Sequence, residues 1–223
     1  MRTFGFPDFL FILEAAKWTL ALSLIAFIGG AILGLVIALA RTSESKSARL
    51  LSTGFIQVFQ GTPLLLQLFL IFFGAPVLGI DLNPWVAAGI ALILNTSAFL
   101  GEIWRGCIQA VPREQWEAAR ALALGYPSQL SSVILPQAAR IALPPTVGFL
   151  VQLLKGTSLA SIIGFTELTR AAAVVNNATF RPLIVYAIVA ALYFILCWPL
   201  SLLSSHLERR LEQAGSRTVA FQF

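Results

Sequence analysis

Charge is what this chain has least of. Only 11% of its 223 residues are Asp, Glu, Lys or Arg, and 58% are hydrophobic, whereas a soluble domain carries about 25% charged residues. Such a surface does not suit water on all sides, and lipid is the environment that accepts it. Cysteine is scarce too. Cys107 and Cys197 each lie in or beside an apolar run, which leaves no disulfide framework and no metal cluster. The single histidine, His206, stands near the C-terminus with no partner at ligand spacing, so a zinc site has nothing to build on. A Gly-x-x-x-x-Gly-Lys-Ser/Thr phosphate loop is missing, so the chain is not expected to hydrolyse ATP by that route. Gly-x-Ser-x-Gly and His-Glu-x-x-His are missing as well, and with them the nucleophile and base of an intramembrane hydrolase. Period-2 alternation, the mark of a barrel strand, is not seen either.

What is present is a set of long apolar runs. A membrane-spanning helix needs about 20 mostly apolar residues, because lipid offers the backbone no hydrogen bonds and each segment must satisfy its own. Five stretches meet this: residues 18–40, 50–73, 84–104, 143–165 and 182–204. The expected fold is therefore all-α, a single polytopic membrane domain over residues 1–223 with five transmembrane helices. The first run is longer than the 7–15 residues of a signal-peptide core and reads as a retained helix. Gly30 and Gly34 in it have the small-xxx-small spacing that lets helices approach closely.

The net charge of +5 does not point to nucleic acid, because the basic residues cluster at the ends of apolar runs, where they set orientation. Arg41, Lys46, Arg49, Arg105, Arg113, Arg120, Arg140, Arg209, Arg210 and Arg217 fall on one side. Arg2, Lys17, Arg170 and Arg181 fall on the other, and Lys155 lies inside a run. The bias places the N-terminus outside and the C-terminus in the cytoplasm, as an odd number of spans requires. Trp85 and Trp198 suit the two membrane interfaces, and residues 164–181, mostly small or polar, read as an external loop.

The longest cytoplasmic stretch, residues 105–142, is not loop-like. Gln115-Trp116-Glu117-Ala118-Ala119-Arg120-Ala121-Leu122-Ala123-Leu124 is rich in strong helix formers, and Gly125-Tyr126-Pro127 breaks it. A short exposed helix between two spans is a handle for a cytoplasmic protein; the other reading is a helix lying on the membrane surface.

Here the residues resemble a family. Glu117-Ala118-Ala119, followed by Leu135-Pro136, is similar to the cytoplasmic signature of ABC importer permeases, with Gln109-Ala110-Val111-Pro112 before it and Val133 to Ala138 after it. Gly61-Thr62-Pro63-Leu64-Leu65-Leu66-Gln67-Leu68-Phe69 looks like the second-helix signature of the polar amino acid uptake branch. Glu102-Ile103-Trp104-Arg105-Gly106 and Leu154-Lys155-Gly156-Thr157-Ser158-Leu159 resemble two further segments of it. The resemblance implies a type I importer permease core of five helices that works as a dimer, of one chain or of two related chains. It implies a cytoplasmic loop at residues 109–138 with a coupling helix at about 115–125, docked in a groove of a separate ABC ATPase. Glu117, Ala118, Ala119, Arg120, Ala123, Leu124 and Gly125 are its coupling residues. ATP and Mg would reside on that ATPase, with no cofactor in this chain. An extracytoplasmic binding protein would deliver a small polar solute, an amino acid, across the inner membrane. The chain departs from the family pattern at Ala123, where Gly is usual, at Gln57 and Gln60, where Glu and Arg are usual, and at Gly156, where Asp or Asn is usual. The neutral residues at 57 and 156 leave little acidic character to hold a cationic amino acid.

Polar residues inside apolar runs are expensive and are the natural solute contacts. Lys155 reads as a partner for a solute carboxylate or as a structural anchor. Gln57, Thr62, Asn95, Thr96 and Ser158 offer hydrogen bonds without charge. Gly61 and Pro63 free backbone groups in the second run, and an unwound turn there is a further place to meet a solute. Glu102 and Arg105, three residues apart, share a helix face and read as a gate or stabilising pair. A stand-alone secondary transporter or channel is the competing function; it needs a coupling-ion site, and Glu102 is the one acidic residue deep in a span.

Overall fold

The computed structural model describes residues 3–220, with the backbone alone for 212 and 214–220. Among these residues all regular structure is helical. Four helical segments are long and apolar enough to cross a membrane, and a bent pair makes a fifth.

Helix α1 (Phe6–Thr42) starts twelve residues before the expected span. Proline near its first turn and the Asp8 carboxylate, which accepts from the Gly5 N–H at 3.0 Å, begin it. The charges of Glu14 and Lys17, paired on the exposed face, hide the extension from a hydropathy window. The opposite face, with Ile12, Ala15, Thr19 and Leu22, is buried throughout. At 1.5 Å per residue the helix is about 55 Å long, well beyond the ~30 Å hydrocarbon core.

The expected second span is not one helix. Helix α2 (Lys46–Gly61) and helix α3 (Leu64–Gly74) meet at Thr62-Pro63 with a bend of 100°. Pro63 has no N–H for the helical ladder and holds Thr62 in extended backbone, with φ −115° and ψ 141°. Helix α4 (Pro84–Gln109) is capped by Asn83, which accepts from the Val86 N–H at 2.9 Å, and has proline in its first turn.

Helix α5 (Arg113–Ala121) is shorter than the expected 115–125 at its far end. Ala123 turns the chain with φ +55°. A continuous helical rod follows from Tyr126 to Ile163. It comprises a turn, α6 (Tyr126–Ser128), a π-helical stretch (Gln129–Ile134), α7 (Leu135–Gly156) and a 3₁₀ stretch (Thr157–Ile163). The fourth span thus starts 17 residues before the expected residue 143. The π-helical stretch ends two residues before Pro136, which has no N–H for the ladder and interrupts regular α-helix.

Residues 164–181 are not an external loop. After Gly164, whose φ of +91° demands glycine, helix α8 (Leu168–Thr179) buries Leu168, Ala171, Ala172 and Val175 against α1 and the last helix, α9 (Pro182–Ala220). Those four positions have helical spacing, but small residues and two asparagines gave the stretch the composition of a loop.

The tightest packing joins α1 to α4. A Cβ on Gly30 would lie 2.4 Å from Thr96 Cγ2, and one on Gly101 would lie 2.7 Å from Ile37 Cγ2. The small-residue spacing of α1 therefore serves an approach within the chain. Around this pair Leu22, Ala26, Leu68, Leu92, Phe149 and Leu153 form the central core. Trp85 belongs to its edge, stacked on Phe165 at 4.9 Å. Outward, Ile28, Ile32, Val36, Phe194, Ile195 and Trp198 are exposed, as lipid or another membrane protein requires.

Candidate functional site

The break between α2 and α3 opens onto a cavity of about 280 Å³. Thr62 and Leu64 line it from the break, Leu92, Asn95 and Phe99 from α4, and Phe149, Gln152, Leu153 and Gly156 from α7. No charged side chain lines it. Its polar groups are one hydroxyl, two carboxamides and backbone. Gly156 leaves room at the rim: a Cβ there would come within 3.3 Å of the Leu64 side chain. A second cavity of about 360 Å³, lined by Leu35, Trp104, Cys107, Leu135 and neighbours, is larger but almost wholly apolar. Its one hydroxyl, on Thr146, accepts from Trp104 Nε1 at 2.9 Å, so it offers a polar solute far less than the first cavity.

Of the sequence candidates, Thr62 and Asn95 are brought together at the first cavity. Gln57 is exposed on α2 and does not line it. Lys155 is exposed near the end of α7, without a hydrogen bond or ion pair to any described residue. Ser158 bonds back to the Lys155 carbonyl at 2.7 Å. Thr96 is fully buried behind Gly30 and lies away from the cavity. Glu102 and Arg105 do pair, with Arg105 Nε donating to Glu102 Oε2 at 2.9 Å. Arg41 of α1 approaches the same carboxylate oxygen at 3.7 Å and also donates to Thr53 of α2. The cluster ties α1, α2 and α4 together at the end where the basic residues gather.

At that end α5 presents Glu117, Ala118 and Arg120 outward, with Ala123 and Gly125 exposed in the turn after it and Leu124 half-buried. Ala119 faces inward and is 2% exposed. Arg113, Trp116, Glu117 and Arg120 surround a shallow depression. Trp116 stacks on Tyr126 at 6.4 Å, and the Tyr126 hydroxyl donates to the Thr42 carbonyl at 2.7 Å, so α5 is fixed both to the rod and to the end of α1.

This architecture has known relatives. Residues 16–213 match the family described as binding-protein-dependent transport system inner membrane component. The chain belongs to that family. It is a multi-pass inner membrane permease by that membership and by its apolar helices. It is 40% identical to the L-cystine transport system permease protein TcyB of Bacillus subtilis (strain 168), over 88% of this chain and 84% of that protein. It is 34% identical to a putative glutamine transport system permease protein GlnP of Rickettsia conorii (strain ATCC VR-613 / Malish 7), over 92% and 95%. Among solved structures, a chain of an amino acid ABC transporter crystallised with histidines is 37% identical, with TM-score 0.86 over 94% of this chain and all of that one. A chain of the inward-facing MetNI methionine ABC transporter, 17% identical with TM-score 0.78 over 93% of this chain, shares the fold.

In this permease, three polar residues at the cavity, the break and the core were not singled out from the sequence. Gln152 lines the cavity but looks unremarkable among the apolar residues of α7. Gln67 is the one polar residue in the helix Leu64–Gly74, and a lone amide in such a run is the signal that marks it. Its Nε2 donates to the carbonyls of Phe59 at 2.8 Å and Thr62 at 3.0 Å, and to Thr62 Oγ1 at 2.9 Å. Its Oε1 accepts from Asn95 Nδ2 at 3.1 Å. The backbone groups released by the break are thereby satisfied inside the protein, as the apolar surroundings require. The third residue is Glu167, 0% exposed. Its carboxylate caps α8 by accepting from the Arg170 N–H at 2.8 Å and accepts from the Tyr193 hydroxyl at 2.7 Å. Burial without a cation pushes its pKa above the ordinary carboxylate value. Among the described residues no cluster of three metal-ligating side chains occurs.

Proposed function

We propose that this chain is the transmembrane subunit of an ATP-driven amino acid importer and that the cavity at the α2–α3 break is where the solute passes. The uncharged lining of Thr62, Asn95, Gln152 and Gly156 carries this reading. A zwitterion with an uncharged side chain needs hydrogen bonds and a dry pocket, and no net charge. A cationic amino acid would meet no carboxylate there. The names of the relatives, cystine and glutamine permeases, support the same class.

ATP and Mg belong to a separate ABC ATPase, an extracytoplasmic binding protein supplies the solute, and a second permease subunit, a copy or a relative, completes the path. The basic end of the bundle faces the cytoplasm. There α5 is the coupling helix, with Glu117, Ala118 and Arg120 toward the ATPase. Its motion reaches the solute through the rod that starts beside it at Tyr126 and forms the cavity wall at Phe149, Gln152 and Gly156. From Tyr126 to Gly156 that rod is about 45 Å of helix, and it runs from beside α5 to the cavity wall.

The test is uptake by proteoliposomes holding the chain with its ATPase and binding protein. Glu117→Lys reverses an exposed charge at the docking surface and is expected to abolish uptake while the complex still hydrolyses ATP. A bulky residue at Ala119 tests something else, because it would push α5 off its own core. Undiminished uptake by the Glu117→Lys variant would refute the assignment of α5.

A further inference from the structure

We propose that Gln67 is the positioning residue of the cavity: it makes the helix break an acceptor-only wall, which takes the α-ammonium group of the solute. The inference rests on the amino acid reading above and adds the direction in which the solute lies.

One terminal atom of the Gln67 amide lies 2.8 Å from the Phe59 carbonyl oxygen and 3.0 Å from the Thr62 carbonyl oxygen. Backbone carbonyls only accept, so that atom is the nitrogen. The other terminal atom is then the oxygen, and the Asn95 atom 3.1 Å from it must be the amide nitrogen. Asn95 Nδ2 has its second acceptor in the Phe59 carbonyl, at 3.4 Å. Both donor hydrogens of Asn95 are therefore committed to the break, and Oδ1 is left with no partner among the described residues.

Thr62 is constrained in the same way. Its hydroxyl donates to the Val58 carbonyl at 2.7 Å and accepts from Gln67 Nε2, so what remains is a lone pair. Thr62 and Asn95 both line the cavity, and each can offer it acceptors alone. Gln67 is 5% exposed and does not line the cavity. It acts by accepting one Asn95 amide hydrogen on Oε1 and so fixing which way that amide points, while the Phe59 and Val58 carbonyls take the other Asn95 hydrogen and the Thr62 hydroxyl hydrogen. An acceptor-only surface repels a carboxylate and welcomes an N–H donor, and the ammonium is the donor every α-amino acid carries.

The test uses the complete transporter in nanodiscs without binding protein, and equilibrium binding of radiolabelled L-glutamine and L-cystine. Gln67→Met keeps the side-chain length and removes the amide. It is expected to weaken binding about tenfold, the equivalent of ~1.4 kcal/mol. The α-hydroxy acid analogue of glutamine, which lacks the ammonium, is expected to compete at least tenfold less well than L-glutamine. Equal competition by the α-hydroxy acid analogue and L-glutamine would mean that the wall does not take the ammonium and would overturn the proposal, as would unchanged affinity in Gln67→Met. If Gln67→Met fails to assemble, the analogue decides alone. If the wild-type transporter binds neither amino acid, the amino acid reading itself fails and takes this inference with it.

Discussion

Replacing Ala123 by glycine should strengthen the turn that closes α5. Ala123 sits at φ +55°, a left-handed conformation that costs a residue with a Cβ roughly 1–2 kcal/mol. Glycine removes that strain but adds freedom to the unfolded chain, a loss of about 0.5–1 kcal/mol. The net expectation is ~0.5–1 kcal/mol in favour of Ala123→Gly. The gain is local, because the turn is held by the Ala123 N–H to the Arg120 carbonyl at 2.8 Å and the Leu124 N–H to the Ala119 carbonyl at 3.2 Å. Hydrogen exchange of the amides of Arg113–Ala121 in nanodiscs is the assay, and protection should rise roughly two- to five-fold. Gly125 is the control. Its φ is −67° and a Cβ there meets nothing within 4 Å, so Gly125→Ala should leave protection unchanged. No gain in Ala123→Gly, with opening of the helix in Gly125→Ala, would show that backbone strain at Ala123 does not govern this turn.

Three further outcomes follow from packing, burial and charge. Gly30→Ala should destabilise the bundle by about 1–3 kcal/mol through overpacking, since its Cβ would overlap Thr96. Gly54→Ala, with no atom in reach, should not; melting temperatures of the two variants compare them directly. Glu167 has a folded-state pKa raised by burial, so its contribution to stability is full below about pH 4.3, the unfolded value, and is lost as pH rises through the folded pKa. Glu167→Gln escapes that loss, and its melting temperature should gain on the wild type between pH 5 and pH 8; a gap closing with rising pH contradicts the burial argument. Gly156→Asp would put a carboxylate at the cavity rim against the flexible end of Leu64. Arginine and lysine should then compete with the native solute at least tenfold better in uptake assays; no change would remove Gly156 from the solute path.

The membrane class of the chain was legible because apolar length is a one-dimensional property: five runs in the sequence correspond to four long spans and one bent pair. The bend itself was half legible. Gly61 and Pro63 announced freed backbone, yet the hydropathy on either side read as one helix. Helix α8 was not legible by composition, since alanines, valines and asparagines make a buried helix only when a neighbour covers them, and the neighbours are α1 and α9, far away in sequence. The cavity was partly legible for a related reason. Thr62 and Asn95 were visible as polar residues in apolar runs. Gln67, equally visible, was passed over because its role is to orient those two, and orientation is a property of contacts across 28 residues of chain. Lys155 misled in the opposite sense: its place in an apolar run suggested burial, but the helix turns it to the exposed side of α7.

The central claim is that this chain carries an amino acid through the membrane only when a separate ATPase drives it. The direct measurement is uptake of radiolabelled L-cystine and L-glutamine, with the binding protein outside, into proteoliposomes containing the chain and its partner permease, with the ATPase present or omitted and ATP inside or absent. The account predicts accumulation of at least one of the two with ATPase and ATP together, and none when either is missing. Accumulation at the same rate without the ATPase would contradict it and would make the chain a transporter in its own right.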